Sequence, residues 1–225
     1  MDKMRLRENF DEIVQRVEKA RLRVSEYHIV KIVAASKYAG TQEIEELYDL
    51  GQRAFGENRV QDLKEKSQAL EHLPIEWHFI GRLQKNKINH LIDLNPFLMQ
   101  SLDSYELALE LDKRLIAKES VMDCLLQINS AKEETKAGVY PEEAFDTYQR
   151  IIADCKKINL KGVMTIGAHT DNEEEIRKSF ETTYKIYEAL QPHGAKICSM
   201  GMSHDFELAI ECGSNMVRIG SLFFK

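Results

Sequence analysis

Between residues 28 and 219 the chain keeps one rhythm: a short run of β-branched and apolar residues, then a longer stretch with apolar residues at helical spacing. The apolar runs fall at 28–36, 54–56, 75–80, 97–101, 121–128, 160–167, 196–200 and 216–219. Helical stretches fill the gaps at 41–50, 59–71, 84–93, 105–118, 141–156, 173–190 and 205–212. Strict strand–helix alternation makes parallel strand pairs joined by right-handed crossovers, not hairpins. Eight such strands lead to a (β/α)8 TIM barrel, with an open doubly wound sheet as the alternative. An opening helix over 3–26 precedes the pattern, with Phe10, Ile13, Val14, Val17 and Val24 on one face. In the 173–190 helix, Ile176, Phe180, Tyr184 and Tyr187 form the expected buried stripe. Thr41 is the expected N-cap of the second helix, Gly51 its stop, and Pro141 fits a first helical turn.

At 225 residues with no Pro/Gly/Ser-rich linker and no internal repeat, the chain reads as a single domain over 1–225. The longest apolar run, 32–35, is far short of a membrane span, and the N-terminus lacks a signal peptide's apolar core. The expectation is a cytoplasmic protein. A net charge of −6 argues against nucleic-acid binding, which needs a basic surface to neutralise phosphates. The acidic run at 173–175 suits the first turn of a helix. The four cysteines show no zinc-ligand spacing and the seven histidines no metal motif, so no metal site and reduced, core-filling thiols are expected.

In a barrel, functional residues gather where the strands end. Those ends carry Ser36-Lys37, Glu57-Asn58, His78, Ser101, Asn129-Ser130, Gly167, the 200–203 segment and the 218–221 segment. Lys37 follows an apolar strand directly, which places an amine at the barrel mouth. An amine there can condense with a carbonyl compound, or simply snorkel to solvent. The loops after the seventh and eighth strands, with Gly201, Ser203, Gly220 and Ser221, have the composition of a barrel's phosphate site. Ser203 could equally cap the next helix, Arg218 could pair with a core carboxylate, and Asp205 would oppose an anion. A lysine together with phosphate loops is what pyridoxal 5′-phosphate (PLP) requires.

The segments VAASK at 33–37, FGENRVQ at 55–61, WHFIGRLQ at 77–84 with Asn86 and Lys87, QIN at 127–129, KAG at 136–138, GVMTI at 162–166, SMGMSHD at 199–205 and MVRIGS at 216–221 run through almost the whole chain. In this order and spacing they closely resemble the pyridoxal phosphate homeostasis proteins, the YggS/PROSC family. The resemblance implies a barrel like the N-terminal domain of alanine racemases, with PLP held as an internal aldimine on Lys37. It further implies Arg218 facing the pyridine nitrogen, Ser203, Gly220 and Ser221 on the phosphate, and Asn58 near the phenolic oxygen. Lys85 stands where the family usually has Ser, and Gly167-Ala168-His169 follows the 162–166 segment; neither departure touches these contacts.

An arginine against the ring nitrogen disfavours its protonation and so weakens the ring as an electron sink. Racemisation survives that limit but needs a base on each face of the substrate. Seven residues follow Arg218, so a counterpart of the racemases' second domain is not expected. Tyr38, the one tyrosine near the mouth, is expected to point away from Lys37 by strand alternation. The expectation is therefore a non-catalytic PLP-binding protein that buffers the cofactor and delivers it to apo PLP-dependent enzymes, as a monomer. The alternatives are a PLP-dependent, racemase-like enzyme using Tyr38 or His78, and a cofactor-free aldolase for a sugar phosphate.

Overall fold

Strands of three to seven residues close on themselves in the computed structural model, which describes residues 3–224. Met1, Asp2 and Lys225, included in the expected 1–225 unit, lie outside the described residues. The strands are β1 (Lys31–Ala35), β2 (Ala54–Glu57), β3 (Glu76–Phe79), β4 (Leu98–Leu102), β5 (Met122–Gln127), β6 (Ile158–Met164), β7 (Ile197–Ser199) and β8 (Met216–Ile219). Each pairs in parallel with the next, and β8 returns to β1 with Lys31 opposite Met216 and Ala34 opposite Ile219. This is the (β/α)8 barrel, not the open sheet. Closure leaves no strand edge to protect.

The helices are α1 (Lys3–Val24), α2 (Thr41–Asp49), α3 (Val60–Ala69), α4 (Ile88–Leu94), α5 (Tyr105–Ala117), α6 (Pro141–Asp154), α7 (Glu173–Leu190) and α8 (Phe206–Glu211). Strand alternation sorts the core into two layers. Val33, Ala54, Leu98, Leu125, Met164 and Met216 fill the barrel itself. Ala34, Phe55, Val217 and Ile219 face outwards and bury Leu6, Ile13, Val17, Ile44, Leu47, Phe206 and Ile210 of α1, α2 and α8.

Several local expectations shift. The face that α1 buries is Leu6, Ile13, Val17 and Ala20; Phe10 and Val14 are half-buried, and Val24, at the helix end, is exposed. Gly40, not Thr41, is the N-cap of α2, and its N–H donates to the Glu43 carboxylate at 2.6 Å. The 84–93 stretch divides into a 3-10 turn (Lys85–Lys87) and α4. On α7 the buried positions are Ser179, Phe180, Thr183, Tyr187 and Leu190, while Ile176 and Tyr184 are half-buried. The strand expected at 160–167 runs from Ile158 to Met164, because Thr165 turns its Oγ1 to the Ile128 carbonyl at 2.9 Å and the chain leaves the sheet.

All four cysteines are free and buried. Among the described residues, no helix is long and apolar enough to cross a membrane, and no group of three or more His, Cys, Asp or Glu side chains is arranged to hold a metal.

Gly81, just past β3, packs on the backbone of Asn58, so that a Cβ there would lie 1.9 Å from the Asn58 carbonyl oxygen. Gly81→Ala is expected to lower the unfolding free energy by about 1–3 kcal/mol through this overpacking. The shift of the urea midpoint at unchanged slope measures it; a midpoint equal to wild type contradicts the contact.

Candidate functional site

The C-terminal mouth of the barrel begins with Ser36, the residue after β1. Every polar atom of this fully buried serine is engaged. Its N–H donates to Gly56 O at 3.0 Å, its Oγ donates to Glu57 Oε1 at 2.6 Å, and its carbonyl accepts from Ala39 N–H at 2.9 Å and Lys66 Nζ at 2.7 Å. Lys37 follows it in a turn and is exposed. Its Nζ lies 4.8 Å from the centroid of the Tyr38 ring, and Tyr38 is 87% exposed. The expectation that these neighbours point apart fails, because β1 ends at Ala35 and strand alternation does not extend into the turn.

On the adjoining strand, β2 ends at Glu57, and Asn58 follows it half-buried, its backbone pressed by Gly81. Across the mouth, two loops meet. Ser203, after β7, accepts the Gly220 N–H on its Oγ at 3.2 Å, which ties the β7 loop to the β8 loop. Ser203 is therefore not the cap of α8, whose N-cap residue is Asp205. Gly220 packs on the end of β1: a Cβ there would lie 2.9 Å from Ala35 O. The backbone N–H groups of Ser203, His204, Ser221 and Leu222 have no acceptor among the described residues. Unengaged amides on adjoining loops are the usual means of holding an anion. Asp205 opposes this less than its sequence position implies. Its carboxylate turns back to accept the Met202 N–H at 2.6 Å, and burial pushes its pKa up from the usual aspartate value.

Beneath the loops, Arg218 on β8 is buried, and among the described residues it pairs with no carboxylate. One terminal nitrogen donates to Ser199 Oγ and the other to Thr165 O, each at 2.7 Å. Ser199 Oγ donates to Gln100 Oε1 at 2.6 Å, and the Gln100 amide donates to His78 Nδ1 at 2.9 Å and to Met216 Sδ at 3.4 Å. Donor and acceptor roles are thereby set along the whole relay, and His78 carries its proton on Nε2. Burial, aided by the Lys31 ammonium, lowers the His78 pKa to about 3. Burial also lowers that of Arg218 to about 10, against the attraction of Asp205, so Arg218 is charged at neutral pH.

The structure brings Ser203 and Gly220 into contact and seats Gly220 against the root of Lys37, while Asn58 stands one strand further round. Sequence reasoning placed Ser36 and Glu57 at strand ends without giving them a role, and it missed Lys66 beside them and Ser199, Gln100 and Thr165 around Arg218. Glu57 did carry a signal, as a carboxylate ending a short apolar strand, and so did Gln100 inside an apolar run.

A family model described as "Alanine racemase, N-terminal domain" matches residues 1–225. A pyridoxal phosphate homeostasis protein of Helicobacter pylori (strain J99) is 55% identical over 219 residues, 97% of this chain and 98% of that protein. The chain belongs to the pyridoxal phosphate homeostasis protein family. A human member is 38% identical over 207 residues, covering 86% of this chain and 75% of its own length. The solved structure of PipY from Synechococcus elongatus with PLP bound is 28% identical, with a TM-score of 0.82 over 98% of this chain and 100% of PipY. An alanine racemase of Clostridium difficile, 19% identical with a TM-score of 0.76 over 97% of this chain and 56% of its own, shares the barrel fold.

In this family member the inner relay predicts an acid-side signature. Because the folded His78 pKa lies near 3 rather than 6.5, the unfolded chain takes up that proton first as pH falls. Stability tied to His78 is complete above pH 6.5 and is lost as pH falls from 6.5 towards 3, by at most about 1.4 kcal/mol per pH unit. Urea unfolding at a series of pH values is expected to show a shallower decline in His78→Phe than in wild type over this window. Parallel declines contradict a neutral, buried His78.

Proposed function

We propose that this chain binds PLP at the barrel mouth and serves as a non-catalytic carrier that buffers the cofactor and delivers it. The observation that carries the reading is the pairing of an exposed Lys37 amine on a fully hydrogen-bonded root with unengaged loop amides beside a buried guanidinium. When bound, PLP supplies an aldehyde that primary amines capture reversibly, with a visible absorption band.

Lys37 is the amine that makes the covalent link. Ser203, Gly220 and Ser221 hold the phosphate, Ser203 by its hydroxyl and the loops by the N–H groups of Ser203, His204, Ser221 and Leu222. Arg218 would face the pyridine nitrogen, where its charge would oppose protonation. Its two bonds to Ser199 and Thr165 keep the guanidinium plane in place. Asn58 orients the phenolic oxygen. The exposure of Lys37 leaves the linkage open to incoming amines, which suits exchange with a recipient enzyme's lysine better than sheltered turnover.

The available bases support the carrier reading over a racemase. His78 lies buried below the mouth with Nδ1 already occupied and a pKa near 3, which makes it a poor proton acceptor at neutral pH. Tyr38 packs its ring against Lys37 itself rather than on an opposite face. The chain works in this proposal as one unit, a cytoplasmic monomer that meets apo PLP-dependent enzymes transiently.

The test is the visible spectrum and mass of the protein mixed with PLP, before and after borohydride, in wild type and Lys37→Ala. Wild type is expected to turn yellow and to retain one cofactor on Lys37 after reduction. Lys37→Ala is expected to lose the fixed cofactor and to bind PLP at least about tenfold more weakly, a loss of roughly 1.4 kcal/mol. A wild type that gains no band overturns the PLP reading. Lys37-dependent exchange of an amino acid's Cα proton into deuterated water, at an enzymatic rate, overturns the carrier reading.

A further inference from the structure

We propose that the buried Glu57–Lys66 ion pair, acting through Ser36, positions the Lys37 amine for capture of an aldehyde. The inference rests on the reading of Lys37 given above. Glu57 ends β2 on the outward face, the same face as Phe55, and its side chain is 0% exposed. Lys66 reaches it from α3 at 2.7 Å with its side chain 13% exposed. Removing two opposite charges from water is unfavourable, and well-packed apolar residues in their place are often as stable or more so. Here the balance is poorer still, because Glu57 Oε2 is buried without a hydrogen-bond partner among the described residues. Stability alone therefore gives no reason for an ion pair at this place in an apolar wall.

Its contacts do. Lys66 Nζ donates both to Glu57 Oε1 and to Ser36 O, each at 2.7 Å, and Ser36 Oγ donates to the same Glu57 oxygen at 2.6 Å. Three side chains from β2, α3 and the end of β1 form a closed ring of hydrogen bonds around one residue. The next residue is Lys37. Both Ser36 tethers in this ring, one on the carbonyl of the Ser36–Lys37 peptide and one on the hydroxyl, are charge-assisted. They set the direction in which the Lys37 Cα–Cβ bond leaves the chain, while the Lys37 side chain beyond it is exposed, with its Nζ over the Tyr38 ring. A displaced root lowers the fraction of time the amine spends within reach of an aldehyde held by its phosphate, and misplacement by an ångström can slow such a reaction by about 100-fold. Glu57, Lys66 and Ser36 are thus positioning residues, distinct from the groups that touch the cofactor.

Two variants separate positioning from simple stability. Ser36→Ala keeps the ion pair and removes the hydroxyl tether. Glu57→Gln with Lys66→Met removes both charges together, so that neither is left buried alone. Each is mixed with PLP, and the rate of appearance of the visible band is followed by stopped flow across a pH series. Borohydride and mass mapping confirm the residue modified. The non-covalent probe is pyridoxine 5′-phosphate, which has the ring and phosphate but no aldehyde. Capture is expected to slow by about threefold or more in Ser36→Ala and about tenfold or more in the double variant, with pyridoxine 5′-phosphate affinity within about twofold of wild type. Lys66→Arg, which keeps a cation on Ser36 O, is expected to recover most of the rate.

Folded variants that capture PLP at the wild-type rate overturn the proposal. So does a parallel loss of pyridoxine 5′-phosphate affinity, which would assign the ion pair to the barrel at large. If the double variant does not fold, Ser36→Ala and Lys66→Arg decide the question between them. A wild type that borohydride does not modify at Lys37 instead defeats the functional reading, and that control is read first.

Discussion

The ladder between β8 and β1 is the contact on which the remainder of the molecule depends. It joins the two ends of the strand series, with Val33 opposite Arg218 and Ala34 opposite Ile219. Without it the sheet is open, Arg218 lies on an edge, and the loop carrying Gly220 has nothing to rest on. With it, Gly220 is pressed against the Ala35 carbonyl, one residue short of the Ser36–Lys37 turn. The amine and the loop with unengaged amides become neighbours only because the barrel closes. Parallel strands make this natural, since all eight end on the same rim and bring their following residues together.

A closed parallel barrel is hard to fill with polar groups, yet this one carries a buried guanidinium, a carboxamide, a hydroxyl and an imidazole on four strands, β8, β4, β7 and β3. They are tolerable because each hands a hydrogen bond to the next, from Arg218 to Ser199 to Gln100 to His78. The relay ends at His78 Nε2, which is buried and has no hydrogen-bond partner among the described residues. A relay with one loose end and no carboxylate spreads the charge of Arg218 without neutralising it. That preserves a positive guanidinium at the floor of the mouth, the feature the proposed pyridine contact needs.

The two sides of the mouth are built on opposite principles. The root of Lys37 is held by a closed ring of charged and polar groups, whereas its amine meets solvent and the Tyr38 ring. The loops after β7 and β8 are tied to each other by Ser203 and Gly220, whereas their neighbouring amides stay unengaged. Firm backbone with unsatisfied tips is the arrangement that the proposed carrier role needs.

Much of this was legible in the chain itself. Alternating apolar periods are local properties, so all eight strands and the order of the helices follow from them, and β8 at Met216–Ile219 has the bounds read from sequence. The motifs naming Lys37, Asn58, Ser203, Arg218, Gly220 and Ser221 lie at strand ends for the same reason. Tertiary structure alone decided the partners. Ser203 bonds Gly220 rather than capping α8, Arg218 meets Ser199 and Thr165 rather than a carboxylate, and Glu57 and Lys66 converge on Ser36 from separate elements. Those choices depend on strand register and barrel closure, which bring residues of separate elements within hydrogen-bond distance. No local pattern encodes a register such as that of Lys31 with Met216, 185 residues apart, so the chemistry of each side chain could be read early, and its partner only once the barrel had formed.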